Sequence, residues 1–298
     1  MASGPGERLD RYLVIAGLAP SRRAAQELIA GGMVRVNGVR CRKSETVSDN
    51  DHVEVVGQLR AGAIESNPDI TLENLYIDDA LIVVNKPGAM PCHPLRAGER
   101  DTVMNGVVAR FPETANSGDS PREGGLVHRL DNGTSGALLI ARNREAFAML
   151  RNAIRSGKIA RTYLVMVDGA VTSPMELRVP IAHHAGNPRK MVPGEGQSTT
   201  RKRAGRPATT LVEPVQRVGR WTLVRAMPRT GSRHQIRVHL ADAGFPLVGD
   251  SLYGGPVVAE LAPGRFWLHL SELELDSPAG GHIKVTAPLP KDLRSTRR

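Results

Sequence analysis

The sequence predicts an α+β protein: a mixed, largely antiparallel central sheet with flanking helices and a central cleft, preceded by a small amino-terminal α+β module. Three observations predict it. Strand-type apolar runs recur along the chain, among them Ile82-Val83-Val84, Ile159 to Val167, Trp221 to Met227, Phe266 to Leu275 and His282 to Thr286. Between them stand segments with helical spacing and capping residues. One stretch, Gly124 to Arg142, is polar in its middle and apolar at both ends, which predicts a buried strand, a tight polar loop and a second buried strand. A chain of 298 residues can bury a substantial core and hold more than one domain.

Residues 7–57 form the amino-terminal module. Leu9, Leu13 and Ala16 recur at helical spacing, and Gly17 ends that helix. Ser21 is the expected N-cap of a second helix carrying Ala24, Ala25, Leu28 and Ile29, closed by Gly31-Gly32. Met33 to Val36 then meets Asn37-Gly38, a strong hairpin-turn signal, and Val53 to Val56 closes the small sheet. Residues 58–70 have few large apolar side chains and read as a linker; residues 71–290 follow as the main domain.

Within that domain, Asp101 or Thr102 caps a helix running to Arg110, and residues 112–123 read as a surface loop. Asn143 caps a helix with Ala146, Phe147, Leu150 and Ile154 on its apolar face. Residues 183–206 are polar, with six Lys or Arg against Glu195, and read as a solvated loop. His234 to Leu240 forms a helix ending at Gly244. Val248-Gly249-Asp250 and Tyr253-Gly254 read as turn-building residues, and the final KDLRSTRR as frayed.

Forty Lys and Arg against thirty Asp and Glu give a formal charge of +10, which favours a polyanionic partner, nucleic acid above all. From Met1 to Lys43, eight basic residues face three acidic ones, and the basic set includes Arg22, Arg23, Arg35, Arg40 and Lys43. Aromatics make up only 3%, so stacked aromatic platforms are not expected. Cys41 and Cys92 alone build neither a disulfide framework nor a zinc site, which fits a reducing cytoplasm. His234 and His239 are five apart, poor spacing for two ligands on one helical face, so no metal is expected. The start has no apolar signal region and no run is long enough to span a bilayer, so the expectation is a soluble, cytoplasmic chain with no membrane partner. The lack of a Gly-rich phosphate loop with its lysine leaves nucleotide hydrolysis without a motif.

The central motif carries the chemistry. His128-Arg129-Leu130-Asp131, then Thr134-Ser135-Gly136, puts one carboxylate and one planar cation in a loop held between apolar strands. This pattern resembles the HRLD-x-x-TSG motif of the RluA-type pseudouridine synthases. Asn85-Lys86-Pro87, Arg161-x-Tyr163, and Thr230-Gly231-Ser232-Arg233-His234-Gln235-Ile236-Arg237 resemble further parts of that family in the same order. The stretch from Ser21 to Val39 resembles the S-four-type RNA-binding domain.

The resemblance implies an isomerase that breaks the glycosidic bond of uridine, turns the uracil and rejoins it through carbon five, without redox cofactor, metal or nucleotide. It implies that Asp131 is the essential carboxylate, attacking carbon six of uracil or acting at the anomeric carbon by way of a glycal. Arg237 pairs with it, and Tyr163 lies beside it as acid, base or packing. Arg129, His128, Arg233 and His234 are the expected substrate contacts, Arg233 as a phosphate contact because Ser232 holds the place of the family's first arginine. Lys86 is read as turn chemistry ahead of a direct role. The implied partner is structured RNA: ribosomal RNA of the large subunit first, transfer RNA second, bound by a monomer. The open alternatives are a non-catalytic RNA-binding or ribosome-assembly factor, and a hydrolase using Asp131 with His128.

Overall fold

The strand-type runs pair as hydrogen-bonded ladders in the computed structural model, which describes residues 6–19, 22–30, 32–41, 45–48, 50–56, 64–194 and 205–295. The chain divides into two units, Met1–Ala63 and Ile64–Arg298.

In the first unit, β1 (Glu7–Arg8) leads into α1 (Leu9–Ile15), and α2 (Arg22–Ala30) follows. Strands β2 (Val34–Val36), β3 (Val39–Arg40), β4 (Thr46–Val47) and β5 (Val53–Val55) complete it. β2 lies between β3 and β5, and β1 pairs with β4. Asn37 and Gly38 both take left-handed φ, 53° and 78°, as a two-residue hairpin turn requires. Leu9, Leu13, Ala25, Leu28, Ile29, Val34, Val36 and Val47 form the core. Asp10 is buried beside them and joins the two helices. It accepts from Gln26 Nε2 (2.9 Å), Arg8 Nε (3.1 Å) and Arg22 Nη2 (3.1 Å). Arg22, expected on RNA, therefore also serves this hub. Arg35 and Arg40 stand exposed on facing strands. Lys43, the Arg23 side chain, Ser21 and Gly31 lie outside the described residues.

The second unit is built on a nine-stranded sheet. Its strands are β6 (Glu73–Ile77), β7 (Leu81–Lys86), β8 (Ser135–Ala141), β9 (Ala160–Asp168) and β10 (Met175–Leu177), with β11 (Ile181–His183) and β12 (Met191–Pro193) forming a separate hairpin. Then come β13 (Thr210–Val218), β14 (Trp221–Pro228), β15 (Leu268–Asp276) and β16 (His282–Thr286). The helices are α3 (Val103–Arg110), α4 (Arg144–Arg155), α5 (Gln235–Asp242) and α6 (Lys291–Ser295). The sheet order is β10-β13-β14-β9-β15-β8-β7-β6, with β16 on β15. Only the β15–β8 pair is parallel. β8 is buried along its whole length, so it sits at the centre of the core. Register places the chemistry: Leu270 of β15 pairs with Gly136 on one side and Tyr163 on the other. The end of the central motif and the strand tyrosine are thereby held two strands apart. A Cβ at Gly136 (φ 117°) would collide with the Leu270 carbonyl, which accounts for glycine there.

Several details differ from the sequence expectation. Leu126 forms only an isolated bridge to Ile140, because the chain before the motif is too short to be a full strand. Residues 64–70 pack onto the second unit instead of linking freely: Ile64 is buried in its core and Asn67 N–H donates to Asn105 O. Within 112–123, Pro112–Asn116 winds into a 3-10 turn that buries Thr114. The chain end to Ser295 is not frayed but helical, because Leu293 is fully buried and its carbonyl accepts from Trp267 Nε1. The strands β6, β10 and β13 differ from the sequence expectation too; β13 carries three successive exposed residues, Val215 to Arg217, and an internal proline at a bulge. No described helix is long and apolar enough to cross a membrane.

Candidate active site

A cleft of about 360 Å³ opens beside the centre of the sheet, within the size range of small-ligand sites. Asp131, Tyr163, His234 and Arg237 line it, as do His128, Arg129, Arg161 and Arg233.

Asp131 begins the loop between the isolated bridge and β8. Buried cations grip that loop by its backbone. Lys86 Nζ donates to the carbonyls of Thr134 (2.6 Å), Pro87 (2.9 Å) and Asn132 (3.2 Å). Arg265 donates to the Gly133 carbonyl and, at 2.9 Å, to Ser135 Oγ. Arg265 is itself held by Asp292 of α6 at 2.7 Å. Successive carbonyls from 132 to 134 are thus turned onto fixed donors, and Asp131 keeps one position. Lys86 does more than build a turn: it is fully buried, and burial lowers its pKa to about 8. Gly133 has no alternative, since a Cβ there would meet the Gly264 carbonyl and the Phe266 ring.

Arg237, on α5, donates Nη1 to Asp131 Oδ2 at 2.9 Å. Its other face meets Asp250, Nε to Oδ2 at 2.6 Å and Nη2 to Oδ1 at 2.9 Å. The guanidinium lies between the rings of Phe266 (4.2 Å) and Tyr253 (4.9 Å). The side chains of Arg237 and Asp250 are 7% and 1% exposed, whereas that of Asp131 is 25% exposed. One cation is therefore shared by two carboxylates, and only Asp131 opens to the cleft. Such a fork fixes direction as well as charge.

Tyr163 is buried at the cleft wall. Burial, opposed by Arg161 and aided by Asp131, pushes its hydroxyl up to about 12. At neutral pH it is a proton donor, not a phenolate base. Arg161, two residues away, spends Nη2 on the carbonyls of Thr230 (3.1 Å) and Pro228 (3.4 Å), bracing the turn that leads to His234. Gln235 completes that brace: its Oε1 accepts from Thr230 Oγ1 (2.8 Å) and Ser232 N–H (3.0 Å). His234 is not the first helical residue. It precedes α5 with φ 56° and ψ 19°, a left-handed backbone that is costly for a side chain with a Cβ.

The remaining expected contacts separate into two kinds. Arg129 is exposed at the mouth, 3.5 Å from Glu123. His128 instead turns inward, and its Nε2 accepts the Leu139 N–H at 3.2 Å. Burial first, then Arg161 and Arg151, lowers its pKa to about 3, so it is a neutral brace for β8. Arg233 donates to the carbonyls of Pro188 (3.0 Å) and Arg189 (3.4 Å), tying the β11–β12 hairpin to the cleft. His239, the other histidine of α5, is bound to Thr210 Oγ1 and the Val179 carbonyl, both at 2.9 Å. Of the polar 183–206 segment, residues 195–204 lie outside the described residues.

Comparison with known proteins decides the family. The model for RNA pseudouridylate synthases matches residues 80–242, which include Asp131, Tyr163 and Arg237, and that for the S4 domain matches residues 7–53. The chain belongs to the RNA pseudouridylate synthase family. It is 34% identical over 296 residues to an uncharacterized RNA pseudouridine synthase of Synechocystis sp., covering 96% of this chain and 86% of that one. It is 32% identical over 301 residues to ribosomal large subunit pseudouridine synthase D of Pseudomonas aeruginosa, covering 96% and 90%. Human RNA pseudouridylate synthase domain containing 1 has a solved structure that superposes with a TM-score of 0.58 at 26% identity, over 74% of this chain and 84% of the other. This synthase is thus an RNA isomerase of mixed α+β fold with an RNA-binding module at its amino-terminal end.

Two side chains that hold cleft residues of this synthase from behind were missed in the sequence. Asp250 and Tyr253 look like parts of a glycine turn, and Gly249 (φ 89°) and Gly254 (φ 84°) do build one. The turn also delivers Asp250 to Arg237 and Tyr253 to His234. The signal available was an acid beside a glycine, with no apolar partner of its own, thirteen positions after an arginine on a helix.

Proposed function

We propose that this synthase converts specific uridines of large-subunit ribosomal RNA to pseudouridine, with transfer RNA as the alternative substrate, and that it acts as a cytoplasmic monomer. The name of the Pseudomonas relative supports the ribosomal substrate. The charge of +10 supports contact with a folded polyanion. Division into a module at 7–57 and a catalytic domain at 71–290 assigns RNA grip to Arg22, Arg23, Arg35, Arg40 and Lys43, and chemistry to the cleft.

The observation that carries the reading is Asp131, a carboxylate in the cleft lining with Oδ2 held by Arg237. In the reaction the N1–C1′ bond breaks, the C5–C1′ bond forms, C5 loses its proton and N1 gains one. Asp131 supplies the negative charge for this exchange, either by adding to carbon six or by acting at the sugar. Arg237 keeps the carboxylate aimed. Tyr163 holds its proton at neutral pH and donates a hydrogen bond to the turning base. Arg129 occupies the stack vacated by the flipped nucleotide or meets its phosphate, at an unstacking cost of a few kcal/mol. Arg233 reaches phosphate from the edge of the hairpin, and His128 acts from beneath the cleft floor.

The test is to incubate the purified chain with transcripts of large-subunit ribosomal RNA and of transfer RNA and to map pseudouridine by chemical sequencing. Pseudouridine at one or a few ribosomal positions is the expected result. No modification of either RNA would overturn the reading.

A further inference from the structure

Arg237 holds only one oxygen of Asp131. The other, Oδ1, faces Nε2 of His234 at 3.8 Å. The opposite ring nitrogen, Nδ1, lies 2.8 Å from the hydroxyl of Tyr253. That hydroxyl also accepts the Met191 N–H at 2.9 Å. A phenol has one proton and two lone pairs. Met191 takes one lone pair, so the proton is free to go to Nδ1. Nε2 faces the carboxylate of Asp131, which can only accept, so the tautomer that suits both neighbours carries Nε2–H toward Asp131 and leaves Nδ1 to accept from Tyr253.

Tyr253 also touches the second partner of Asp131. Its ring lies 4.9 Å from the Arg237 guanidinium, while it meets His234 edge-on at 88°. One tyrosine thus adjoins both side chains that face the carboxylate. Burial lowers the pKa of His234 to about 4, against the pull of Asp131, so the ring is neutral at working pH.

We infer that Tyr253 and His234 form a neutral hydrogen-bond relay that positions Oδ1 of Asp131 for reaction with uridine. The inference rests on the reading of Asp131 as the reacting carboxylate. Neutrality is the point of the device. Arg237 already supplies a positive charge, and a second cation on the same carboxylate would weaken it as a nucleophile. A neutral N–H restricts its rotation without that penalty. A separation of 3.8 Å is one that catalytic hydrogen bonds commonly tighten once substrate binds. Both are positioning residues: His234 acts on Asp131, and Tyr253 acts through His234.

The test uses Tyr253→Phe in the full chain, which keeps the ring on Arg237 and removes only the hydroxyl. With saturating RNA, kcat falls about ten- to hundredfold while KM stays within about twofold, the pattern of lost orientation. Nitrogen-15 spectra of the histidine rings read the tautomer directly. In the wild type, His234 Nδ1 is unprotonated and Nε2 protonated; in Tyr253→Phe the two tautomers mix. His234→Asn tolerates the left-handed backbone and should show the same kcat-selective loss. Wild-type kcat in either variant, or a protonated Nδ1 in the wild type, would overturn the relay. If Tyr253→Phe does not fold, the wild-type ring spectrum and His234→Asn decide alone. Asp131→Asn separates the two levels: if it retains activity, the reading of the site fails, whereas an inactive Asp131→Asn beside a fully active Tyr253→Phe sinks the relay only.

Discussion

Each unit of this chain contains an aspartate bound to arginine, and the two arrangements are inverted. In the amino-terminal module one acid serves two arginines. Asp10 is 2% exposed, while Arg8 and Arg22 stand 60% and 59% exposed around it. In the catalytic unit one arginine serves two acids. Arg237 and Asp250 are sealed, and Asp131 alone reaches the cleft. The first arrangement buries the negative charge and leaves the positive charge exposed. The second buries the positive charge and leaves a carboxylate open to the cleft. The same pair of residue types therefore leaves cations exposed in one unit and a carboxylate exposed in the other, and burial decides which.

Breaking the catalytic arrangement has the largest expected effect. Arg237→Lys retains the charge but cannot bridge Asp131 and Asp250 with three bonds, so kcat should fall about a thousandfold with RNA affinity preserved. Turnover under saturating RNA checks this, and a loss under tenfold would mean that the fork is not what holds Asp131. Deleting residues 1–60 addresses the other unit. RNA affinity should weaken about tenfold and the dependence of binding on salt should flatten, while turnover of saturating RNA changes little. Filter binding at several salt concentrations measures it; equal affinity for the two chains would remove the module from RNA recognition.

The smallest expected effect sharpens the comparison at the Asp10 hub. The Gln26 amide first, then Arg8 and Arg22, hold the Asp10 carboxyl well below its ordinary value of 3.8, with burial opposing them. A depressed carboxyl stabilises the folded module fully above its ordinary value, and that contribution drains away as pH falls toward the folded value. The opening free energy of α1 and α2, from hydrogen exchange corrected for the intrinsic pH dependence of amide exchange, should therefore be steady at neutral pH and fall below about pH 4. Asp10→Asn should exchange faster at neutral pH and lose this acid limb. An unchanged limb would assign it to other groups.

What the sequence showed and what it hid follow from the distance over which each signal acts. The loop at Asp131, the cap at Asn143 and the Asn37-Gly38 turn are written in neighbouring residues, and local chemistry is enough to find them. Arg237 was legible through a motif resemblance, but its pairing with Asp131 spans 106 positions. The grip of Arg265 on Gly133 spans 132, and nothing local to either residue announces it. Tyr253 was hidden for a different reason: a glycine turn explains its surroundings so well that its second use leaves no trace in composition. The carboxyl-terminal helix was hidden because its five residues, KDLRS, carry one apolar anchor, Leu293, which is buried in a cluster with Met166, Leu223 and Trp267 from distant parts of the chain. The left-handed His234 is invisible in a sequence whose helical spacing begins at that residue.

The central claim is that Asp131 performs the chemistry and is not needed for the grip on RNA. The most direct test is to measure, on the same preparation of Asp131→Asn, both RNA affinity and the yield of pseudouridine in a long single-turnover reaction. The account predicts RNA binding close to wild type and no pseudouridine. Pseudouridine formed at a rate within tenfold of wild type would contradict it and move the reacting group elsewhere in the cleft.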